Sequence, residues 1–376
     1  MPLAMPAQTF RDPGRSRTVL LALVALLVAA AGLTWAKWLP YTERATGIAG
    51  SGRYPGHSML TAGAGESPLA RSWRFAEVYS QAVWAALLVA LVISACVDVL
   101  VPRRWLLRAL DRRTSLGGSL AGGLAALPGM MCTCCTAPLA VTMRKAGVAT
   151  SAALAFWLGN PLLNPAVLVF LGLLAPWSWV AVRLGAGLLL VIGVTALVGH
   201  LAARRAPAVA ALASEPLGAL PPSIDPSGPA ARALGTTVQD SDVPAAQLPG
   251  RLVRSFLRLA AVLVPEYLLT VFLVGLVGEP LGRVLGHGGA LAVLVAAAVG
   301  AVLVLPTGGE VPILLGLAAA GASAGVLGAL LLALPALSLP SAVMVGRAMG
   351  WRVTAATAGA TVLVAVLAGG VLTLLS

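Results

Sequence analysis

Six apolar runs, residues 18–39, 76–100, 149–172, 177–199, 255–278 and 353–375, are each long enough to cross a lipid bilayer, which takes about 20 residues as a helix. A chain carrying this much uninterrupted apolar sequence has too little polar surface to hide it in a soluble core. Composition agrees: 59% of the 376 residues are hydrophobic, 10% are charged and the mean hydropathy is +0.94, whereas soluble domains carry about 25% charged residues. At membrane depth the backbone finds no water, so it must satisfy itself in helices or in a closed barrel, and runs of this length select helices. The expected fold is an all-α polytopic membrane protein whose first partner is the lipid bilayer.

Charge orients the spans. The formal net charge of +12 would suggest nucleic acid in a soluble protein, but here the basic residues sit in short loops beside apolar runs, so no nucleic-acid partner is read from them. The loop RRWLLRALDRR, residues 103–113, faces the cytoplasm by the positive-inside rule. Arg11, Arg15 and Arg17 precede the first run, which flows into Lys37 without a clear cleavage site, and so reads as a retained span rather than a signal peptide. The expected organisation is a cytoplasmic N-terminus (1–17), a first transmembrane helix (18–39), an extracytoplasmic loop (40–75), a first transmembrane half (76–200), a flexible cytoplasmic linker (201–250) and a second transmembrane half (251–376). The expected location is the cytoplasmic (inner) membrane, multi-pass. Nothing in the sequence speaks to oligomeric state.

The two halves resemble each other. A shift of 174 positions lays Pro138 on Pro312, Gly147 on Gly321, Pro161 on Pro335 and Gly172 on Gly346, with Asn164 meeting Ser338. Proline and glycine set helix ends and breaks in membranes, so matches at these residues carry more weight than matches at Ala or Leu. If residues 115–143 crossed completely from the arginine loop, Arg144 and Lys145 would emerge outside. A segment that enters, breaks at PGMMCTCCTAP (128–138) and returns keeps them inside. The second half admits the same treatment around LPTGGEVP. Two pseudo-symmetric halves forming an inverted repeat with broken or re-entrant hairpins are therefore expected, the geometry of many secondary transporters. Two complete, kinked spans are the alternative.

Irregular backbone at membrane depth is tolerated where it lines a cavity or is buried in protein. The first break holds Cys132, Cys134 and Cys135. Thiolates are soft ligands that favour thiophilic centres, so the cluster suits trivalent arsenic, antimony, mercury or a soft transition metal, with packing as the competing reading. Adjacent Cys134 and Cys135 are poorly placed for a disulfide. His57, His200 and His287 lie too far away in sequence to complete a zinc pattern. Cys96 reads as a small buried hydrophobe. Asn160 and Asn164, four apart, share one helical face and imply either interhelical hydrogen bonds or a wet cavity. Ionisable residues inside spans are functional candidates: Glu310, at the second break, and Glu266 are the coupling or cavity candidates, while Asp98 is expected to pair with the arginine loop. Arg144 and Lys145 read first as topology determinants. No Gly-rich loop ends in Gly-Lys-Ser or Gly-Lys-Thr, so an ion gradient, most economically protons, is the expected energy source. The chain is not expected to be an enzyme or to need a cofactor.

Along these motifs the chain resembles the predicted-permease family that includes the organoarsenical-efflux permeases. The matching residues are Cys132, Thr133 and Cys134, then Pro138, Arg144, Lys145, Gly147, Phe156, Pro161, Asn164 and Pro165. Pro312, Gly321 and the PALSLPS run (335–341) continue the resemblance, which spans about residues 76–375. It implies a polytopic inner-membrane exporter in which Cys132 and Cys134 are sulfur ligands of a trivalent organoarsenical. Cys135 stands where the common pattern has glycine, stiffening the turn and adding a thiol, and Thr133 stands for serine. The resulting expectation is a secondary exporter of a thiophilic solute, held at a Cys-lined break near the membrane midplane. A soft metal-ion transporter, with Cys132 and Cys134 as ligands, and a non-transporting membrane scaffold or metal/redox delivery protein are the alternatives.

Overall fold

The computed structural model describes residues 13–53, 67–101, 103–110, 112, 114–213, 247–285, 289–305, 307–319 and 321–376. Among them the structure is helical, with no strand. Five helical stretches are long and apolar enough to cross a membrane: Leu20–Ser51, Val83–Leu100, Thr150–Leu174, Trp177–Arg204 and Trp351–Leu375. A sixth candidate, Ala324–Ala336 with Leu339–Met349, is bent by 53° at its break. The expected run 255–278 lies within α11 (Leu248–Leu285).

The first span is longer than its apolar run. Helix α1 (Pro13–Leu33) passes through a π-helical turn (Thr34–Trp38) into α2 (Leu39–Ser51), so residues expected at the start of an external loop continue the helix. The apolar run ends at residue 39, where polar residues begin, but the backbone continues, since the Leu39–Ser51 sequence holds no proline after Pro40. Gly52, in the left-handed conformation (φ 65°), ends it. Residues 54–66 lie outside the described ones. At the other expected loop, α10 (Thr195–Ala213) runs into the segment read as a linker, of which 214–246 lie outside the described residues.

The central sequence is built from short helices. α3 (Pro68–Leu100) and α4 (Arg103–Leu110) precede α5 (Ser115–Ala126), a 3₁₀ turn (Leu127–Gly129), α6 (Thr133–Lys145), α7 (Thr150–Leu162), α8 (Pro165–Leu174) and α9 (Trp177–Leu188), which continues through a π turn (Leu189–Val194) into α10. The second half follows with α12 (Ala290–Gly300), α13 (Glu310–Ala319), α14 (Ala324–Ala336), α15 (Leu339–Met349) and α16 (Trp351–Leu375). Local chemistry starts these pieces. Ser67, Thr114, Asn164 and Ser323 cap their helices through side-chain oxygens, satisfying N–H groups that a helix cannot satisfy itself.

Small residues let the pieces meet. A Cβ on Gly122 of α5 would lie 2.1 Å from the carbonyl oxygen of Ala152 on α7, so the two backbones touch, as helices do where lipid supplies no hydrophobic drive to pack them. α12 packs on α14 as α5 packs on α7, and α6 meets α15 as α13 meets α8. The turns after α6 and α13 both use glycine with positive φ, Gly147 (93°) and Gly321 (83°).

Candidate functional site

The sulfur cluster forms where α6 begins. Cys132 is the residue before the helix, in extended conformation, and Cys134 and Cys135 follow in its first turn. The carbonyl of Cys132 accepts from the N–H groups of Cys135 (3.2 Å) and Thr136 (3.1 Å), so helix nucleation itself folds the Cys132 side chain back over the turn. Sγ of Cys132 then lies 3.4 Å from Sγ of Cys134 and 3.1 Å from Sγ of Cys135. All three sulfurs are within 4.8 Å of one another and buried. None of the four cysteines forms a disulfide. A three-thiol cluster of this size can wrap a single soft atom from one side.

The backbone leading into the cluster is held in an unusual shape. Met130 is a non-glycine residue at φ 46°, a conformation that persists only where surroundings enforce it. Asn160 is one of those surroundings. Its Oδ1 accepts from Met131 N–H at 3.5 Å, its Nδ2 donates to the carbonyl of Phe156, and a Cβ on Gly129 would fall 2.2 Å from its Oδ1. Thr136 Oγ1 reaches the carbonyls of Cys132, Thr133 and Trp157, tying the same turn to α7.

Asn164 does something different from Asn160. The helix breaks between Leu162 and Pro165, so the two amides do not share one helical face: Asn164 caps α8, its Oδ1 accepting from Ala166 and Val167 N–H. Its buried Nδ2 has no hydrogen-bond partner among the described residues.

Ser338 occupies the matching break in the second half and joins it to the first. Thr133 Oγ1 donates to Ser338 Oγ at 3.1 Å, and Ser338 Oγ donates to Ser341 Oγ at 2.9 Å. The residue between Cys132 and Cys134 is thus hydrogen-bonded across 205 positions of sequence to the break between α14 and α15.

Glu310, at the start of α13, is ion-paired with Arg183 of α9. The Arg183 Nη2 lies 3.0 Å from Glu310 Oε1, and both side chains are buried, 0% and 2% exposed. The guanidinium also donates to the carbonyls of Pro161, Leu162 and Leu331, so one side chain serves α7, α14 and α13. Arg183 went unread in the sequence, although a lone arginine inside WSWVAVRLGAGLLLV was the available signal. Glu266 falls on α11, and its side chain lies outside the described ones. Asp98 accepts from Ser255 at 2.8 Å, where α3 and α11 pack together; the side chains of Arg103, Arg104 and Arg113 in the arginine loop expected to pair with it lie outside the described ones. Arg144 donates to the carbonyl of Val148, closing its own turn.

A second unread group comes from the first helix. Lys37, in the π-helical turn, is 7% exposed, and its Nζ donates to Tyr41 Oη at 3.3 Å. Tyr41 Oη donates to the carbonyl of Thr307 at the second break, at 3.1 Å, while Trp38 Nε1 donates to the carbonyl of Pro128 at the first break, at 3.3 Å. The N-terminal helix therefore touches both breaks. Read from the sequence, Lys37 has no role beyond lying in the first span; the π turn, a distortion frequent at functional sites, places it against the interior.

Comparison with known proteins agrees with this architecture. Residues 71–374 match the family described as predicted permease. The UPF0718 protein YraQ of Escherichia coli (strain K12) is 35% identical over 351 residues, 92% of each chain. No solved structure matches. Bundles of apolar helices are the architecture of inner membranes, whereas outer-membrane spanning proteins are β-barrels. The chain is a multi-pass inner-membrane protein, a permease rather than an enzyme, and it belongs to the predicted-permease family.

Proposed function

We propose that the chain is a secondary exporter of a thiophilic solute, a trivalent organoarsenical being the type case, and that Cys132, Cys134 and Cys135 hold it. The observation that carries this reading is the convergence of three buried sulfurs within 4.8 Å at a helix break. Capture balances simply. Two thiols exchange with the two hydroxyls of an organoarsenous acid: two As–S bonds form, two As–O bonds break, and each hydroxyl leaves as water with a thiol proton. Release reverses these steps, so loading is reversible, as a transport site requires. Asn160 braces the break, and Asn164, with its unpartnered amide, lines it.

The two halves form an internal inverted repeat in this reading. Support comes from element boundaries: α7 and α14 both begin and end 174 positions apart (150 to 324, 162 to 336), as do the starts of α8 and α15 (165 to 339) and of α9 and α16 (177 to 351). The reciprocal contacts of α6 with α15 and of α13 with α8 are what a pseudo-two-fold axis produces. Coupling then works through Glu310. A proton added to its carboxylate removes the charge that Arg183 binds, loosening α13 from α9, and so links proton movement to rearrangement between the halves. Glu266 is the second coupling carboxylate.

The test is uptake of methylarsenite into vesicles holding the purified protein, with and without a pH gradient, beside Cys132→Ala, Cys134→Ala and Cys135→Ala. Gradient-driven transport by the parent, lost on removing Cys132 or Cys134 in protein that still inserts and folds, is the expected result. No transport under either gradient, or equal transport by parent and variants, overturns the reading. A soft metal ion as cargo is the second reading, favoured by the third sulfur, since three thiolates suit a soft cation directly; counter-transport of Cu(I) in the same vesicles distinguishes it.

A further inference from the structure

Lys37 poses a charge problem that the proposed cargo does not solve. Its ammonium is buried, and among the described residues its hydrogen-bond partner is the neutral Tyr41 hydroxyl, with the Tyr41 ring 5.3 Å from Nζ. No carboxylate pairs with it among the described residues. An uncompensated buried charge is costly unless paired, and Arg183 shows that this fold does pair one with an acid. Trp38, the next residue, donates to the carbonyl of Pro128 at the break that leads into Cys132, so Lys37 enters the fold beside the sulfur cluster's own break. Arg44 also lies near the Tyr41 ring, 5.9 Å from its centroid.

Beside this cation stands a donor without a partner. Thr307, whose carbonyl accepts from Tyr41, is 9% exposed, and its Oγ1 has no hydrogen-bond partner among the described residues. Buried hydroxyls are normally satisfied. A buried cation and an orphan hydroxyl are thus joined through one hydrogen-bonded tyrosine. The nearby start of α6 adds the positive end of a helix dipole on the cysteine side.

Capture of a neutral arsenical by two thiols, as written above, produces a neutral complex and leaves Lys37 uncompensated. We propose that the site takes a thiophile that also carries an acid group: the soft centre binds the cysteines while a carboxylate or similar anion pairs with Lys37 and accepts from Thr307. This rests on the thiol-site reading and narrows its substrate class. Lys37 lies ahead of the matched family region, residues 71–374, and so selects charge from outside it.

The test compares two probes that differ by one acid group, methylarsenite and carboxymethylarsenite, binding to the purified full-length protein. Each affinity is read by competition with a soluble dithiol. The parent is expected to favour the carboxylated probe by about tenfold, the discrimination of one close charge pair at roughly 1.4 kcal/mol. Lys37→Met is expected to abolish the preference, Lys37→Arg to retain most of it, and Thr307→Val to reduce it. Because the readout is a ratio within one protein, partial loss of folded material cancels. Equal affinities in the parent, or an undiminished preference in Lys37→Met, overturn the proposal while leaving the thiol site standing. Binding of neither probe by the parent overturns the thiol reading itself and this inference with it.

Discussion

Breaking the Arg183–Glu310 pair is the sharpest way to ask whether the two halves are braced as described. Both side chains are essentially dry and 3.0 Å apart, so removing one partner leaves the other as an uncompensated charge, at a cost of about 3–5 kcal/mol, or roughly two to three and a half decades in the folding equilibrium. The two single variants are not equivalent. Glu310→Leu leaves the guanidinium bonded to the carbonyls of Pro161, Leu162 and Leu331. Arg183→Met orphans those three acceptors as well, so it should cost about 1–3 kcal/mol more. The double variant removes both charges and should be less damaged than the sum of the singles by about 2–3 kcal/mol, the size of coupling expected between directly contacting residues. Reversible unfolding of the purified protein in mixed micelles, followed by tryptophan fluorescence, measures all four corners of this cycle. Single variants that each lose less than about 1 kcal/mol, with an additive double, would refute the reasoning: the pair would then be solvated and no brace.

Three further outcomes follow from other contacts. Gly122→Val should cost about 1–3 kcal/mol, because its Cβ would meet the Ala152 carbonyl at 2.1 Å, whereas Gly185→Ala, with nothing within 4 Å, should melt like the parent. Asn164→Ala should lose about 1 kcal/mol with its cap on α8, and Asn164→Ser should recover part of it, both read as melting temperature. Tyr41→Phe keeps the edge-on packing against Phe170 (5.9 Å) but deletes both the bond to Thr307 and the bond from the buried Lys37 ammonium; a loss of about 2–4 kcal/mol is expected in the same unfolding assay, and no change would mean that Lys37 and the Thr307 carbonyl find water in the folded protein.

The crowding of the sulfurs and the positions of the helix breaks were readable because their signals are local. Three cysteines in four positions announce themselves, and Pro and Gly at matched spacing mark where helices must break. The expectation that Asn160 and Asn164 share a face failed because it assumed that an i, i+4 pair stays within one helix; the helix ends at Leu162, and the next, starting at Pro165, takes Asn164 as its cap. The end of the first span failed for a related reason. The apolar run ends at residue 39, but a helix continues until its backbone finds a terminator, here Gly52.

By itself the sequence determined the class of the protein, its helical spans, the two breaks and the crowding of the thiols. Each depends on residues within one or two turns of one another, through apolar length, proline and glycine geometry, and capping. Only the tertiary structure decided what those breaks contain. Arg183 and Glu310 are 127 positions apart, Thr133 and Ser338 are 205, and Tyr41 and the carbonyl of Thr307 are 266. No periodicity encodes such pairings. They follow from which short helices pack together where small residues allow close approach, and from the cost of carrying a charge or hydroxyl into the dry interior without a partner.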